Sequence, residues 1–249
     1  EKTSYEAAAA IIAVSDGMRA DVLAAYPSVD PKKVVTIRNG VDTSKFAPNN
    51  NPAVLQEFGI TGRYAMFVGR ITRQKGLAHL LRAWKSVPAE YGLVLAAGSP
   101  DEETVGNEVA ALIAELQATR SNVWWIKEML PHDKLTAALT QADLFLCPSI
   151  YEPLGIVNLE AMGCETAVLA SRVGGIPEVV SHQETGILVD YTSDHSRFEA
   201  DLAAAISELM ADPARLEKYG KAGRLRAQTH FGWDAVAAQT ISLYRSVIS

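Results

Sequence analysis

The sequence predicts an α/β fold built on a doubly wound, parallel, Rossmann-like sheet, and three observations lead there. Short apolar runs recur at 64–68, 93–97, 123–126, 144–147, 167–170 and 187–189. The stretches between them carry apolar residues at helical spacing, with Leu77, Leu80, Leu81 and Trp84 in one and Val105, Val109, Leu112, Ile113 and Leu116 in the next. No internal repeat or low-complexity tract interrupts this alternation. A helix of that kind buries one face against a sheet, and repeated strand–helix order implies parallel strands joined by right-handed crossovers.

The elements follow in order. Residues 1–9 read as a helix, 11–14 as a strand, and Ser15-Asp16 as the cap of a helix reaching Ala25, with Met18, Val22 and Ala25 on one face. A second strand at 34–37 ends in the turn Arg38-Asn39-Gly40-Val41-Asp42. Two strands are too few to close a core, and the chain opens at Glu1 without an initiator Met. Residues 1–43 are therefore expected to be the tail of an N-terminal domain whose body is absent. Residues 44–60, rich in Asn and Pro at 48–52, read as a linker, and 61–230 as the sheet domain. Phe198, Leu202, Ile206 and Leu209 mark a further helix, and Asp212-Pro213 starts another. After the break at His230-Phe231-Gly232, residues 231–249 form a last helix. Its stripe of Trp233, Val236, Ala237, Ile241, Tyr244 and Ile248 is expected to pack on its own domain or on the other.

Composition bounds the function. The 249 residues are 48% hydrophobic and 21% charged, enough for a proper core. A net charge of −6 argues against general affinity for nucleic acid or anionic membrane, so any phosphate site must be a local basic cluster. No apolar run reaches the roughly 20 residues of a membrane span and no signal sequence is evident, so a soluble protein is expected. The two cysteines, Cys147 and Cys164, lack C-x-x-C spacing and read as buried thiols in a reducing compartment, with the cytoplasm as the expectation. The five histidines lack the spacing of a metal cluster, so no metal and no cofactor are expected.

Two stretches carry chemistry. In the first, the strand ending at Cys147 leads into Pro148-Ser149, then Glu152-Pro153-Leu154-Gly155, then a helix with Glu160 eight positions after Glu152. Ligands of open α/β sheets bind beyond the carboxyl ends of strands, where helix N-termini favour negative charge. Gly155 lets a ligand approach the backbone, and the amides of Gly155, Ile156 and Val157 would be first-turn donors without a helical partner. Carboxylates beside an anion site make sense when the ligand also offers hydroxyls, as a nucleotide sugar does. The plainer alternative makes Glu152 a solvated loop residue and Glu160 a favourable charge near a helix start.

In the second stretch, Gly69 and Gly76 frame Arg70, Arg73 and Lys75 directly after the first strand of the domain. An Arg fork with a Lys point charge can neutralise a leaving diphosphate. The spacing fits neither the dinucleotide nor the P-loop pattern. A solvated basic helix start is the alternative, although cations there cost roughly a few tenths of a kcal/mol.

Together these residues resemble a known family. Gly69-Arg70-x4-Lys75-Gly76, the Glu152-x7-Glu160 arrangement and Gly174-Gly175-Ile176-Pro177-Glu178 resemble the C-terminal domain of family 4 retaining glycosyltransferases of the GT-B fold. Residues 38–42 look like that family's interdomain junction. The segments 71–76, 127–135 and 147–164 resemble in particular the actinobacterial branch of glycogen synthases and maltose-1-phosphate synthases. Glu160 stands where the related starch synthases have a tyrosine. The resemblance implies that Arg70 and Lys75 hold the donor diphosphate, Glu152 the donor-sugar hydroxyls beside the amides of Gly155, Ile156 and Val157, and Glu160 the ribose. It implies Gly69 as a further donor-binding residue, and a nucleobase against the backbone of Lys127-Glu128-Met129-Leu130. Trp124 and Trp125 could offer a stacking platform there, but strand aromatics are usually core.

The implied reaction moves glucose with retention from a nucleotide-glucose, expected to be ADP-glucose, to a 4-OH of an α-glucan or of glucose-1-phosphate. The family's N-terminal domain supplies acceptor contacts, so residues 1–249 alone are expected to transfer little. Two other readings stay open, a non-catalytic nucleotide-sugar-binding module and a GT-B nucleotide-sugar 2-epimerase.

Overall fold

The structure is a computed structural model that describes residues 2–248. In chain order the elements are α1 (Lys2–Ala7), β1 (Ile11–Ala13), α2 (Asp16–Ala25), β2 (Val34–Thr36), α3 (Ala53–Glu57), β3 (Tyr64–Ile71), α4 (Leu77–Trp84), β4 (Gly92–Pro100), α5 (Glu103–Thr119) and β5 (Val123–Ile126). They continue as α6 (His132–Gln141), β6 (Leu144–Cys147), α7 (Ile156–Gly163), β7 (Ala167–Ser171), α8 (Ile176–Val179), β8 (Gly186–Val189), α9 (His195–Met210), α10 (Pro213–His230) and α11 (Trp233–Ile248). All six strands expected in the main sheet are present, β3 and β4 running a few residues further than their apolar runs.

The six strands form one parallel sheet in the order β5-β4-β3-β6-β7-β8. The chain winds outward from β3 to β5, returns to the middle at β6, and winds the other way. Side chains alternate along each strand, so one set faces each layer of helices. Ala65 and Phe67 of β3 join Leu144 and Leu146 of β6 and Leu169 of β7 in a cluster with Leu80, Trp84 and Phe198. Tyr64 and Met66 join Phe145, Cys147 and Val168 on the other face, with Leu159, Met162 and Phe231. Trp84, Tyr64, Phe67, Phe145 and Phe198 are among the largest fully buried side chains. Each such burial contributes roughly 1.5–3 kcal/mol. Arg63 and the amide of Tyr64 bind Asp143 at 2.9 and 3.1 Å, fastening the start of β3 to the start of β6. Cys147 and Cys164 are buried free thiols, and burial pushes the latter up to about 12.

The stretch 44–60 is more ordered than a linker. Asn49 accepts from the amide of Asn51 at 3.1 Å and Asn51 from that of Ala53 at 3.0 Å, and α3 follows with Val54 buried. These short side-chain-to-backbone bonds nucleate a turn that asparagine composition alone reads as a break.

In the N-terminal part, β1 and β2 pair in parallel and pack with α2 around Ile11, Ala13, Val22, Val29 and Val34. At the other end, α11 departs from expectation. Its apolar stripe covers neither part, none of its described residues being buried, with Trp233 51% and Tyr244 56% exposed. At its start the Trp233 ring lies close against Gly40.

Candidate active site

The site lies where β3 and β6 end side by side, the point at which the winding reverses. In open sheets this is where adjacent loops splay apart and leave a crevice. After β3, the Thr72 hydroxyl accepts from the amide of Lys75, closing a single helical turn over 73–75. Gly76 then takes a left-handed conformation at φ 66, and a Cβ there would come within 1.9 Å of the Pro148 carbonyl oxygen. The loop after β6 is bound to it, the amide of Ile150 donating to Gln74 O at 2.9 Å.

That close approach brings two predicted residues together. Lys75 Nζ lies 2.6 Å from Glu152 Oε2, with side chains only 20% and 11% exposed. Ser149, buried below, donates to the same carboxylate oxygen at 3.4 Å and faces Cys147 Sγ at 3.6 Å. Gly155, at φ 93, opens α7, and among the described residues the amides of Gly155, Ile156 and Val157 have no partner in the neighbouring loops. Their free N–H groups and the helix dipole make this a place for negative charge. Asn158 is fully buried in the same turn, and neither atom of its amide is hydrogen-bonded among the described residues.

Glu160 sits further along α7. Burial raises its carboxyl above the ordinary value, and the charges of His132 and Lys75 pull it partly back. His132, to which the sequence assigns no part, is therefore a neighbour of the site. It opens α6, with Nε2 3.1 Å from Lys45 O and its ring edge-on to Phe46. No sequence motif announces it, because packing of 45–46 on α6 brings it there. Ser149 was equally missed, its position just past a strand end being the only signal.

Arg70 goes elsewhere. Its guanidinium pairs with Asp101 at 2.7 Å, 70% exposed, and Arg73 lies 3.7 Å from Glu102. The strand register changes between Gly69 and Ile71, and this irregularity turns Arg70 toward the loop after β4. It borders a 590 Å³ cavity with Gly69, Gly98, Lys127, Met129 and Leu130. The predicted residues thus fall into two groups, Lys75 with Glu152 and Glu160, and Arg70 with Gly69, Met129 and Leu130. Met129 is 95% exposed and Leu130 buried. Trp124 and Trp125 do not line that cavity. They pack against the two cores, Trp125 donating to Ala97 O at 2.9 Å. Among the described residues no three His, Cys, Asp or Glu side chains could hold a metal ion, and no helix is long and apolar enough to cross a membrane.

Comparison with known proteins decides the family. Residues 56–226 match the family described as glycosyl transferases group 1, and residues 1–45 match glycosyltransferase family 4. The chain belongs to the group 1 glycosyltransferases. Alpha-maltose-1-phosphate synthase of Mycolicibacterium smegmatis is 49% identical over 99% of this chain and 65% of its own length. D-inositol 3-phosphate glycosyltransferase of Segniliparus rotundus is 33% identical over 96% of this chain and 54% of its own. This glycosyltransferase chain therefore spans a little over half to just under two thirds of the length of these relatives.

Its fold matches sucrose-phosphate synthase of Thermosynechococcus elongatus with a TM-score of 0.83 and 31% identity, over 99% of this chain and 60% of that one. It also matches Anabaena HepE, solved with UDP-glucose, with a TM-score of 0.86 and 21% identity, over 98% and 65%. The family and the GT-B-type architecture expected from the motifs are thereby shown.

Proposed function

We propose that this chain is the donor-binding half, with the tail of the acceptor-binding half, of a retaining glucosyltransferase acting in α-glucan synthesis. In this reading residues 61–230 bind a nucleotide-glucose, ADP-glucose first among the candidates. The acceptor is a 4-OH of an α-glucan or of glucose-1-phosphate, held by an N-terminal domain to which residues 1–43 belong. The 49% identity to an alpha-maltose-1-phosphate synthase supports the substrate class, and the UDP-glucose complex of a protein with the same fold supports a nucleotide-sugar donor. The protein would work in the cytoplasm, where nucleotide sugars are available.

The Lys75–Glu152 pair across the crevice, beside the start of α7, carries the reading. Lys75 and the amides of Gly155, Ile156 and Val157 offer positive charge to a diphosphate, while Glu152 and Glu160 accept from hydroxyls of the sugar and the ribose. The cavity beside Gly69, Arg70, Met129 and Leu130 has room for a nucleoside. During transfer the bond from the anomeric carbon to the diphosphate oxygen breaks, a bond to the acceptor oxygen forms on the same face, and the acceptor hydroxyl proton passes to the departing diphosphate. Negative charge grows on the departing phosphate, so fixed cations there stabilise the transition state more than the ground state.

The test is an assay of the complete gene product with ADP-, UDP- and GDP-glucose against glycogen and glucose-1-phosphate. Arg70→Ala and Lys75→Ala should each lower turnover on the order of 10²–10³-fold with unchanged circular dichroism. Near-normal turnover in either variant removes that residue from the diphosphate site. A free sugar or sugar isomer formed without acceptor growth would indicate epimerisation instead.

A further inference from the structure

Glu178 closes the motif Gly174-Gly175-Ile176-Pro177-Glu178, and the donor site gives it no task. Its side chain, 17% exposed, faces the first turn of α2, whose residues lie more than 160 positions earlier. Oε1 accepts from the amides of Asp16 at 2.8 Å and Gly17 at 3.2 Å, and Oε2 receives Arg38 Nε at 2.7 Å. A helix start has unpartnered amides and the positive end of the dipole, so a carboxylate is its natural cap. Here a distant segment supplies that carboxylate. Arg38 spans the junction, its Nη2 binding Asp16 Oδ2 at 2.7 Å as well.

The same helix start is joined to the active-site loop. Ser15 Oγ accepts from the amide of Met18 at 2.9 Å and donates to Pro153 O at 2.5 Å, one residue from Glu152. Gly175 N donates to Glu152 O at 2.9 Å. The segments meet without slack, since a Cβ on Gly17 would lie 2.9 Å from Gly174 O and one on Gly174 would lie 2.0 Å from Glu152 O. The carboxylate that reaches Lys75 thus hangs from a backbone held on both sides by partners that Glu178 brings together.

We infer that Glu178 is a positioning residue: by capping α2 and binding Arg38 it fixes the backbone of Glu152 and Pro153, and through it the Glu152 carboxylate. This rests on the reading of Glu152 as a group that acts on the donor sugar. Glutamine at 178 keeps the size but loses the charge and turns an NH₂ toward donors, so the cap loosens while the nucleoside cavity, which Glu178 does not touch, stays as it is.

The test uses the complete gene product carrying Glu178→Gln or Glu178→Asp. Hydrogen exchange by mass spectrometry should show Glu178→Gln losing protection at both 15–18 and 152–155. Its kcat should fall by at least about tenfold through misplacement of the catalytic loop, with affinity for ADP or UDP changed by less than about twofold. Glu178→Asp, which keeps the charge, should recover part of the kcat. Ser15→Ala, which cuts the link to Pro153 without touching Glu178, should reproduce the fall in kcat and serves alone if Glu178→Gln does not fold. Exchange that rises only at 15–18, or kcat that holds in Ser15→Ala, overturns the proposal. Absence of transfer in the unaltered protein would refute the transferase reading instead, while the exchange coupling between 15–18 and 152–155 would still be readable.

Discussion

Lys75 and Glu152 lie 77 positions apart and meet at 2.6 Å, whereas Arg70, five positions from Lys75, binds Asp101 instead. Proximity in sequence predicted a shared site for the cations, and the register shift in β3 divided them. Asp101 occupies the guanidinium fork that, in the proposed reading, faces the donor diphosphate. The pair is exposed and such pairs are weak, so Asp101→Asn should tighten binding of ADP or UDP by no more than about fivefold, read by calorimetry. Weaker binding would mean that Asp101 contributes to the site rather than competing for it.

Glu160 makes a second expectation. Its carboxyl is raised by burial above an ordinary value of 4.5, so the folded state favours the protonated form. The stability it contributes is full below that value and is lost as pH rises through the folded pKa. Glu160→Gln should therefore raise the melting temperature at pH 7 relative to the unaltered protein and leave it nearly unchanged at pH 4. An equal shift at both pH values would exclude the linkage.

Among the elements, the helices that were legible are those whose apolar face has a sheet to meet. The stripe on α4 is buried throughout at Leu77, Leu80, Leu81 and Trp84, because an amphipathic period and a neighbouring apolar surface specify the same side. The stripe on α11 is likewise apolar, yet none of its described residues is buried. Periodicity states which face is apolar, and only the surroundings decide whether it is covered. The turn between β3 and α4 shows the converse. Gly76 looks like any loop glycine in the sequence, yet the approach of Pro148 leaves no room for a side chain. Gly76→Ala should destabilise the protein by about 3 kcal/mol or more through left-handed strain and displacement of the loop after β6. Denaturant titration checks this, and a loss below about 1 kcal/mol would show that the two loops can separate cheaply.

For the molecule as a whole, the strand order places the loops after β3 and β6 side by side, although the carboxyl ends of the two strands, Ile71 and Cys147, lie 76 positions apart with other strands and helices between them. A ligand bound there ties the two windings of the sheet together and should stabilise the fold by mass action, by about 2.7 kcal/mol at a hundredfold excess over Kd. A thermal-shift series with ADP, UDP and GDP should rise most for the nucleotide of the true donor. The rise should shrink in Arg70→Ala and persist in Glu178→Gln, which lies outside the nucleoside cavity. No rise with any nucleotide would place the donor outside this crevice.

The order of strands and helices, the layers they bury into and the two charged motifs follow from local sequence, because apolar period, capping residues and glycine spacing act over a few residues. Which cation meets which carboxylate, the arrival of His132 beside Glu160, the bare face of α11 and the capping of α2 by Glu178 belong to tertiary structure alone. The pairings and the cap depend on contacts between segments tens to more than a hundred residues apart, and the bare face on their absence; the physical reason is that ion pairs and close backbone approaches are set by distances in space, which chain-local patterns do not encode.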